Sequence, residues 1–474
     1  MSKYAQNKKD ELAAYFDDLA ERREYWQKKS GYYYEMQHRY FRFLVPEGLK
    51  VLEIGSGLGD LLAAVKPSRG VGVDISPRMI DIAKKRHGNL EFHNMDAAAL
   101  ALDEKFDIII ITDVIGHMED VQRVFMALKD CCHDRTRLII NYYNFFWGPL
   151  LNLAERLRLK MPHNDTNWLA PDDIDNLLNL AGFETVKVER KTLLPMRIPI
   201  LSPFFNRVLA TLPGLCKLCL SHYVVARLVP ETSKRECPVS IIIACRNERG
   251  NIEDGIHRIP EFGSSQEIIF VDGHSTDGTQ EEIQRVMGMF PEKDIHLLVQ
   301  DGKGKGDAVR KGFAAAKGDV LMILDADLTM PPEDLPKFYY ALTSGKGEFI
   351  NGCRLVYPME KQAMRFLNIL GNKFFSMAFS WLLNQRVKDT LCGTKVLFKR
   401  DYNRIIAGRQ YFGDFDPFGD FDLLFGASKL NLKLVELPIR YRERVYGETN
   451  ISRFRHGWLL LKMTIYAFFK LKAV

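Results

Sequence analysis

The chain has 474 residues, of which 46% are hydrophobic and 27% are charged, and its 66 lysines and arginines stand against 60 acidic residues. At about 150 residues per domain, this length predicts two or three domains that each bury a core of their own. The composition excludes a disordered or fibrous chain. A net charge of +6 spread over so many charged side chains also argues against a nucleic-acid partner.

Cysteine usage and hydropathy indicate the compartment. The eight cysteines are scattered, and Met1 is followed by charged, tyrosine-rich sequence rather than an apolar leader, so we expect reduced thiols in the cytoplasm. Cys216 and Cys219 have the spacing of half a zinc site, but no second pair follows, which favours a structural role. The most apolar stretch, 458–469, is interrupted by Lys462 and is too short to cross a membrane.

The order of predicted elements divides the chain into two α/β units. Helix-like sequence over 1–45 precedes a strand at 51–54, and a second series of strands begins at Val239. Between them, residues 191–230 contain five prolines, many leucines and no acidic residue, which predicts a connector of short apolar helices. We therefore expect a first domain with N-terminal helices, a connector, and a second domain ending in an amphipathic helix, with bounds 1–190, 191–236 and 237–474.

The first strand runs into a glycine-rich turn, Gly55-Ser56-Gly57-Leu58-Gly59, which Glu53 precedes by two residues. A dinucleotide-binding turn has its third glycine one residue later and leaves room for a pyrophosphate. The early glycine and the nearby carboxylate instead favour a cationic ligand. Three later strands end in Asp74, Asp96 and Asp113, of which the first two are placed to accept hydrogen bonds from ribose hydroxyls and an adenine amino group.

On these residues, the region of about 30–190 resembles the class I S-adenosylmethionine-dependent methyltransferases. The resemblance implies S-adenosylmethionine as a cofactor, with the glycine turn at its methionine part, Asp74 at the ribose and Asp96 at the adenine. The binding residues it implies are Glu53, Gly55, Ser56, Gly57, Gly59, Asp74, Ile75, Asp96, Ala97 and Asp113.

The methyl acceptor is not identified by the sequence. His117 is either a base on the acceptor side or a capping or core residue. A base is not required if the nucleophile is aligned with the sulfonium, because alignment is the main requirement for methyl transfer.

The second unit places acidic residues at the ends of successive strands. The strand 239–244 leads into Cys245-Arg246-Asn247-Glu248, the next ends in Asp272, and the third ends in Asp325-Ala326-Asp327. Two carboxylates at positions i and i+2 after a strand can both face one divalent cation, and Mg²⁺ or Mn²⁺ suits carboxylate and phosphate oxygens. The lysine-rich stretch 302–307 lacks the Lys-Ser/Thr pair of a P-loop and is interpreted as a turn before a helix.

Two further motifs extend the pattern, Asp389-Thr390-Leu391-Cys392-Gly393-Thr394-Lys395 and Arg444-Val445-Tyr446-Gly447-Glu448-Thr449. With them, residues 237–474 resemble the family 2 glycosyltransferases of GT-A fold, and among these the dolichyl- and polyprenyl-phosphate sugar transferases. The resemblance implies a nucleotide-sugar donor held by Ala244, Arg246, Glu248, Asp272 and the Asp325-Ala326-Asp327 motif. It implies a metal on Asp325 and Asp327, donor and acceptor phosphates at Asp389 and Lys395, and a leaving diphosphate at Arg444.

The sugar and the acceptor stay open at this point. Thr329 stands where the mannosyl-phosphate group often carries a glutamine. A lipid phosphate is already anionic at neutral pH and needs no base, whereas a glycan hydroxyl needs a carboxylate such as Asp420 or Asp422, which could instead be a helix N-terminal pair. In both cases, attack opposite the leaving group inverts the anomeric centre, and metal and arginine stabilise the departing diphosphate.

These observations predict an α/β protein of two Rossmann-like three-layer domains, a methyltransferase fold and a GT-A fold, joined by an apolar proline-rich connector. We expect a bifunctional enzyme that glycosylates a polyprenyl or dolichyl phosphate and methylates a second acceptor. The alternative is a glycosyltransferase acting on a glycan hydroxyl, with a first domain that only binds or regulates. Residues 191–230 and 440–474 carry net charges of +5 and +6 among apolar residues, which predicts a peripheral site on the anionic inner face of a membrane, with packing between domains as the alternative.

Overall fold

A computed structural model describes residues 3–162, 167, 169–230, 236–357, 366–413, 419, 421–447 and 453–474. The chain forms two compact units, one comprising residues 1–229 with 472–474 and the other residues 230–471. Each unit is built on a seven-stranded mixed sheet with helices. The predicted α/β class with two domains is therefore confirmed. No helix in the described part of the chain is both long and apolar enough to span a bilayer.

The first unit contains a sheet of order β3-β2-β1-β4-β5-β7-β6, in which β7 is antiparallel to both neighbours. Its strands are β1 (Lys50–Ile54), β2 (Arg69–Asp74), β3 (Glu91–Asn94), β4 (Phe106–Thr112), β5 (Cys132–Tyr143), β6 (Phe183–Lys191) and β7 (Ser221–Leu228). Its helices are α1 (Lys3–Lys29), α2 (Gly31–Leu44), α3 (Asp60–Ala64), α4 (Pro77–Arg86), α5 (Val121–Leu128), α6 (Gly148–Arg156), α7 (Pro171–Leu180) and α8 (Leu201–Arg207).

The first five strands explain why the polar residues predicted from the sequence come together. β1 pairs in parallel with β2 and β4, and β2 pairs in parallel with β3. Strands β1 and β4 are almost entirely buried because their apolar runs are covered on both faces of the sheet. Since carboxyl ends of parallel strands lie at one edge, the glycine turn after β1 and the acids after β2, β3 and β4 share that edge.

The segment 191–230 differs from the expected connector. It does contain short apolar helical turns, but it ends in β7, which is hydrogen-bonded between β5 and β6 and completes the first sheet. The prolines precede the strand or, as Pro230, follow it, so the β-branched run inside it is free to pair. The first unit therefore ends at Val229 rather than at residue 190.

Two of the five cations of this segment are internal, which corrects the expectation that they face lipid. Arg227 is 2% exposed and its Nη2 lies 2.6 Å from Glu184 Oε1. Lys191 is buried and donates to the backbone carbonyl of Lys472 at 2.8 Å. A third, Arg197, is exposed but ion-paired with Glu35. The net charge of the segment thus overstates the positive surface that it presents.

The second unit has a sheet of order β10-β9-β8-β11-β13-β12-β14, with β13 antiparallel to β11 and β12. Its strands are β8 (Val239–Cys245), β9 (Gln266–Asp272), β10 (Asp294–Val299), β11 (Val320–Ile323), β12 (Phe349–Cys353), β13 (Lys395–Phe398) and β14 (Leu434–Pro438). Its helices are α9 (Ile252–Arg258), α10 (Thr279–Met289), α11 (Lys305–Ala315), α12 (Leu335–Thr343), α13 (Phe366–Leu383), α14 (Lys399–Ala407), α15 (Phe421–Lys429) and α16 (Arg453–Ala467).

The parallel strands of this sheet again place their carboxyl ends together. Cys245 at the end of β8 pairs with Asp272 at the end of β9, and β8 pairs in parallel with β11 on its other side. The central strands are buried and apolar. Polar residues that follow β8, β9 and β11 consequently meet at one edge of the sheet.

The buried carboxylate of Glu189 on β6 makes the stability of the first unit depend on pH. Burial alone would raise the pKa of Glu189, but Lys187, Lys191 and Lys472 outweigh burial and lower that pKa to about 2. The Nζ of Lys187 lies 3.2 Å from Glu189 Oε1. Because the folded-state pKa is lowered, the stabilisation is present above the unfolded-state pKa and is lost as pH falls through the folded-state value.

We therefore predict that this carboxylate contributes on the order of 3 kcal/mol at neutral pH, a contribution that disappears between about pH 5 and pH 2. Denaturant unfolding of the full chain, followed by fluorescence at a series of pH values, measures it. The variant Glu189→Gln should be less stable at pH 7 and should lack this component of the pH dependence. An identical pH dependence in the two proteins would contradict the assignment.

Candidate active sites

The glycine turn of the first unit approaches its surroundings too closely for side chains. Gly55, Gly57 and Gly59 all have positive φ, at +72°, +51° and +80°. A Cβ on Gly55 would lie 2.3 Å from Val114 Cγ1, and one on Gly59 would lie 2.5 Å from the ring of Phe92. The backbone conformation therefore favours glycine at all three positions, and packing requires it at Gly55 and Gly59.

A cavity of about 1540 Å³ lies at the carboxyl edge of this sheet. Seven of the predicted cofactor residues line it: Gly55, Gly57, Asp74, Ile75, Asp96, Ala97 and Asp113. Glu53, Ser56 and Gly59 are not in its lining. Glu53 is buried behind the turn, and burial holds the pKa of its carboxyl well above the ordinary value. Ser56 and Gly59 belong to the turn itself but do not line the cavity.

Asp74 is the residue best placed to hold a ribose. Its Oδ2 accepts from the backbone N–H of Gly57 at 2.8 Å and its Oδ1 from that of Ser76 at 2.9 Å. Burial raises the pKa of this carboxyl, and these backbone N–H groups oppose the shift. A carboxylate offers about four acceptor positions, and the backbone N–H of Ile75 also acts on this one, so acceptor capacity remains for a ligand hydroxyl. This donor set fits S-adenosylmethionine.

Asp96 and Asp113 are each held by a residue from the N-terminal helices. Asp96 accepts from the backbone N–H of Ala98 at 2.9 Å and forms an ion pair with Lys9 of α1 at 3.1 Å. Asp113 accepts from Tyr33 Oη at 3.0 Å and from Gln37 Nε2 at 2.9 Å. It also has a positive φ of +56°, which is uncommon outside glycine and is often found at functional positions.

The N-terminal helices also bring residues to the cavity that the sequence did not indicate. Arg23, Tyr33 and Tyr34 line it together with Tyr143 and Lys160, although the tyrosine run at 32–34 is typical of packing. His117 lines the cavity and stacks edge-on against the ring of Phe16, with centroids 5.4 Å apart. The only indication of these residues in the sequence was the cluster of aromatic residues before the first strand. Such a cluster does not show which other residues it contacts.

In the second unit, cationic side chains contact the two carboxylates of the Asp325-Ala326-Asp327 motif. Lys305, the first residue of α11, places its Nζ 2.5 Å from Asp325 Oδ1. Burial would raise the pKa of Asp325, but Lys305 outweighs burial and lowers it. Ala326 between the two carboxylates is buried. Lys305 belongs to the lysine-rich stretch 302–307, which the sequence predicted to be a turn before a helix.

Arg444 joins Asp327 to the turn after β8. Its Nη2 lies 2.9 Å from Glu248 Oε1 and 3.1 Å from Asp327 Oδ2. Asp327 Oδ1 also accepts from the hydroxyl of Thr329 at 2.7 Å. Burial raises the pKa of Glu248, and Arg444 opposes that shift. Hard carboxylate oxygens that hold cations in this way form a donor set that fits Mg²⁺ or Mn²⁺.

Asp272 has an unused acceptor. It is fully buried, its Oδ2 accepts from Gln280 Nε2 at 2.6 Å and from the backbone N–H of Ser275 at 3.1 Å, and its Oδ1 has no hydrogen-bond partner among the described atoms. A buried carboxylate oxygen without a donor is costly unless a ligand supplies one. Ala244 is half-buried and Arg246 exposed on the neighbouring strand end, so the predicted nucleoside residues share this edge.

Asp389 and Lys395, the residues expected at the donor and acceptor phosphates, are both buried. Asp389 is 1% exposed, and Arg354 binds both of its oxygens through Nε at 2.7 Å and Nη2 at 2.8 Å. Lys395 is fully buried and donates to the carbonyl of Cys392 at 2.5 Å. The sequence missed Arg354, which follows the end of β12 and is the residue that Asp389 orients. The only indication of Arg354 in the sequence was a basic residue directly after the end of a strand.

The two candidate bases have different outcomes. Asp420 lies outside the described residues. Asp422 is near the start of α15, where its Oδ2 accepts from Arg409 Nε at 3.0 Å and lies 3.9 Å from Arg310 Nη1. A carboxylate bound to guanidinium is a poor proton acceptor, so of the two interpretations of Asp422 this geometry favours a helix N-terminal residue over a base.

Each half of the chain is similar to known proteins. A methyltransferase domain model matches residues 20–188, and a glycosyl transferase family 2 model matches residues 240–406. A dolichol-phosphate mannosyltransferase of Pyrococcus furiosus is 32% identical over 237 residues, which are 47% of this chain and 64% of that protein. A dolichyl-phosphate hexose transferase of Haloferax volcanii is 29% identical over 222 residues, which are 46% of this chain and 89% of that protein.

A solved structure is also similar to part of the chain. The crystal structure of an S-adenosylmethionine-dependent methyltransferase from Thermotoga maritima, described as a possible histamine N-methyltransferase, covers 46% of this chain and 99% of its own. The identity is 21% and the TM-score 0.38.

The contribution of the buried Arg354–Asp389 pair to the stability of the second unit can be tested. In Asp389→Asn the buried guanidinium loses its carboxylate, and removing one partner of a buried pair costs about 3–5 kcal/mol. Denaturant unfolding of the full chain measures the loss. Asp334→Asn, which breaks a half-exposed pair with Lys337, should cost less than about 1 kcal/mol. Equal losses would show that the Arg354–Asp389 pair is not a buried constraint.

Proposed function

We propose that this chain, which joins a methyltransferase domain to a glycosyl transferase family 2 domain, transfers a sugar from a nucleotide sugar to a polyprenyl phosphate and a methyl group from S-adenosylmethionine to a second acceptor. The observation that carries the first activity is the group formed by Glu248, Arg444, Asp327, Asp325 and Lys305 at one sheet edge. The named activities of the two relatives, both dolichyl-phosphate sugar transferases, support the choice of acceptor.

In the sugar-transferring site, Asp325 and Asp327 would hold a divalent metal that neutralises the diphosphate of the donor. The free oxygen of Asp272 accepts a hydrogen bond from the nucleoside. Arg444 and Lys305, which now hold the two aspartates, are close enough to bind diphosphate oxygens as negative charge develops on the leaving group. Attack from the opposite side inverts the anomeric centre.

The acceptor is proposed to be a phosphate rather than a hydroxyl. A phosphate monoester is ionised at neutral pH and attacks without giving up a proton. Asp422, the described candidate base, is engaged by Arg409. Burial raises the pKa of Asp325, but Lys305, Lys395 and Arg354 lie near that carboxyl and together lower it, and this group of cations supports a phosphate as the acceptor.

In the methyl-transferring site, Asp74 would bind the ribose and Asp96 with Ala97 the adenine of S-adenosylmethionine, which supplies an electrophilic methyl group when it is bound. Tyr33 and Gln37 fix the orientation of Asp113 beside that site. The remaining wall of the cavity excludes water and aligns the acceptor. We propose that the protein works at the inner face of a membrane, since its proposed sugar acceptor is a lipid.

Metal dependence is the first prediction from this proposal. With a panel of nucleotide sugars, polyprenyl phosphate and Mn²⁺, the protein should form a lipid-extractable product, and EDTA should abolish it. Asp327→Asn should reduce the rate at least 100-fold, because the metal and the diphosphate lose a charged ligand. Asp294→Asn, at the opposite end of the strands on β10, is the matched control. Full activity in EDTA would exclude a metal-assisted reaction.

Cofactor binding is the second prediction. Titration calorimetry of the full chain with S-adenosylhomocysteine should show binding at a single site, and Asp74→Asn should weaken it at least tenfold, because hydrogen bonds to a charged acceptor are lost. Asp103→Asn, an exposed acid of the same unit, should bind like the parent protein. If Asp74→Asn bound S-adenosylhomocysteine as tightly as the parent protein, the cofactor would have to bind elsewhere in the cavity.

A further inference from the structure

The cavity of the first unit is larger than its cofactor requires. Its volume of about 1540 Å³ exceeds the roughly 300–1,000 Å³ of an ordinary small-molecule site. The predicted cofactor residues line only the part of the cavity that follows β1, β2, β3 and β4. A substantial space is therefore left for the acceptor.

A large part of the remaining lining is apolar. It comes from the segment around α6 and from the segment that follows β6, two regions far apart in the sequence. We call this group the apolar wall, and it consists of Trp147, Leu150, Leu151, Leu153, Leu157, Leu159, Leu194, Pro195, Met196 and Leu220. An acceptor that contacts these residues must itself have a large apolar part.

The apolar wall also faces outward. Leu150, Leu153, Leu157 and Leu159 are 51–60% exposed although they line the cavity, and Met196 is 59% exposed. Exposed apolar residues continue beside it on both segments, namely Phe145, Phe146, Ile198, Ile200, Leu201, Phe204, Leu215 and Leu218.

Hydrogen bonds hold these segments against each other. Trp147 Nε1 donates to the carbonyl of Leu218 at 2.8 Å, and Asn144 Nδ2 donates to that of Lys217 at 2.9 Å. Asn206 accepts from the backbone N–H groups of Leu193 and Leu194, both at 2.8 Å. The edge of the cavity is therefore held in place by hydrogen bonds and carries exposed apolar side chains. Exposed apolar surface of this kind marks a binding site for lipid or for a partner protein.

The inner end of the cavity carries charge that suits an anionic head group. Arg23 donates to Met161 Sδ at 3.1 Å and has no carboxylate partner within 4 Å among the described residues. Lys160 also lines the cavity, paired with Glu155 at 2.8 Å and 5.7 Å from the ring of Tyr143. A guanidinium that makes no ion pair with a carboxylate, although Asp74 and Asp113 are near enough to interact with it electrostatically, can bind the anionic end of a ligand that also has an apolar end.

We propose that the methyl acceptor is a long-chain amphiphile, an anionic membrane lipid or lipid-linked sugar whose chain lies on the apolar wall and whose head group reaches Arg23 and Asp113. This proposal rests on the proposed methyl transfer and specifies its substrate class. An oxygen or nitrogen of the head group bonds to the methyl carbon as the carbon–sulfur bond breaks. The sulfur keeps the bonding electron pair, and any proton lost by the head group passes to Asp113 or to water.

Chain length is the decisive variable in the test. The full chain is incubated with S-adenosylmethionine labelled in its methyl group and with one of three acceptors: phosphatidylglycerol vesicles, polyprenyl phosphate, or polyprenyl phosphate bearing the sugar added by the second domain. Each is compared with a short-chain, water-soluble analogue of the same head group. We expect at least tenfold more label in one long-chain lipid than in its short analogue, and the acceptor that is labelled identifies the lipid. Equal labelling of long and short acceptors would overturn the proposal.

A matched pair of variants separates the apolar wall from general apolar surface. Leu153→Asp should raise the KM for the lipid at least tenfold while S-adenosylhomocysteine binds as before. Leu180→Asp changes a leucine of the same unit that is 59% exposed but does not line the cavity, and it should change neither quantity. Equal effects of the two variants would contradict a role for the wall.

Lipid binding measured without cofactor separates a failure of the proposed methyl transfer from a failure of the proposed lipid acceptor. If the protein binds the long-chain acceptor in preference to the short one but does not bind S-adenosylhomocysteine, the methyl transfer fails and the lipid site stands. If it binds S-adenosylhomocysteine but shows no preference for chain length, the lipid acceptor is excluded and the proposed methyl transfer stands.

Discussion

Parallel strand pairing is the constraint on which both candidate sites depend. It brings the carboxyl ends of β1, β2 and β4 to one edge of the first sheet and those of β8, β9 and β11 to one edge of the second. A chain leaving a strand there is released from sheet geometry, so its polar side chains can turn toward a ligand. The acids gathered in this way also need cations, and Lys305 and Arg444 supply them at the second edge.

Much of each site could be predicted because strand, turn and acid are adjacent in the sequence. The glycine turn, Asp74 and the Asp325-Ala326-Asp327 motif all lie within a few residues of the strand that positions them. Arg23 and Tyr33 could not be found in this way, because α1 and α2 bring them to the cavity from before the first strand. Arg354 was missed for a related reason: it follows β12, and only the pairing of β12 with β13 brings it to its partner Asp389.

Composition was a less reliable guide to surfaces than to sites. Residues 191–230 have no acid, yet Arg227 and Lys191 are buried and compensated within the first unit. The net charge of a segment counts buried charged residues equally with exposed ones. In the same way, the apolar content of a segment does not show whether its apolar side chains lie in a core or on the surface. The exposed leucines of α6 belong to a different segment from the one whose composition suggested a membrane surface, and they became visible only through the accessibility of individual side chains.

The position of β7 has a consequence for how the chain is made. The strand lies between β5 and β6 but follows both in the sequence, so a ribosome has to deliver residue 228 before β5 and β6 gain their shared partner. Until then, the newly made chain holds two incomplete sheet edges, and such edges invite pairing with other chains. The proline-rich segment before β7 thus also sets an interval during synthesis in which the emerging first unit depends on protection from aggregation.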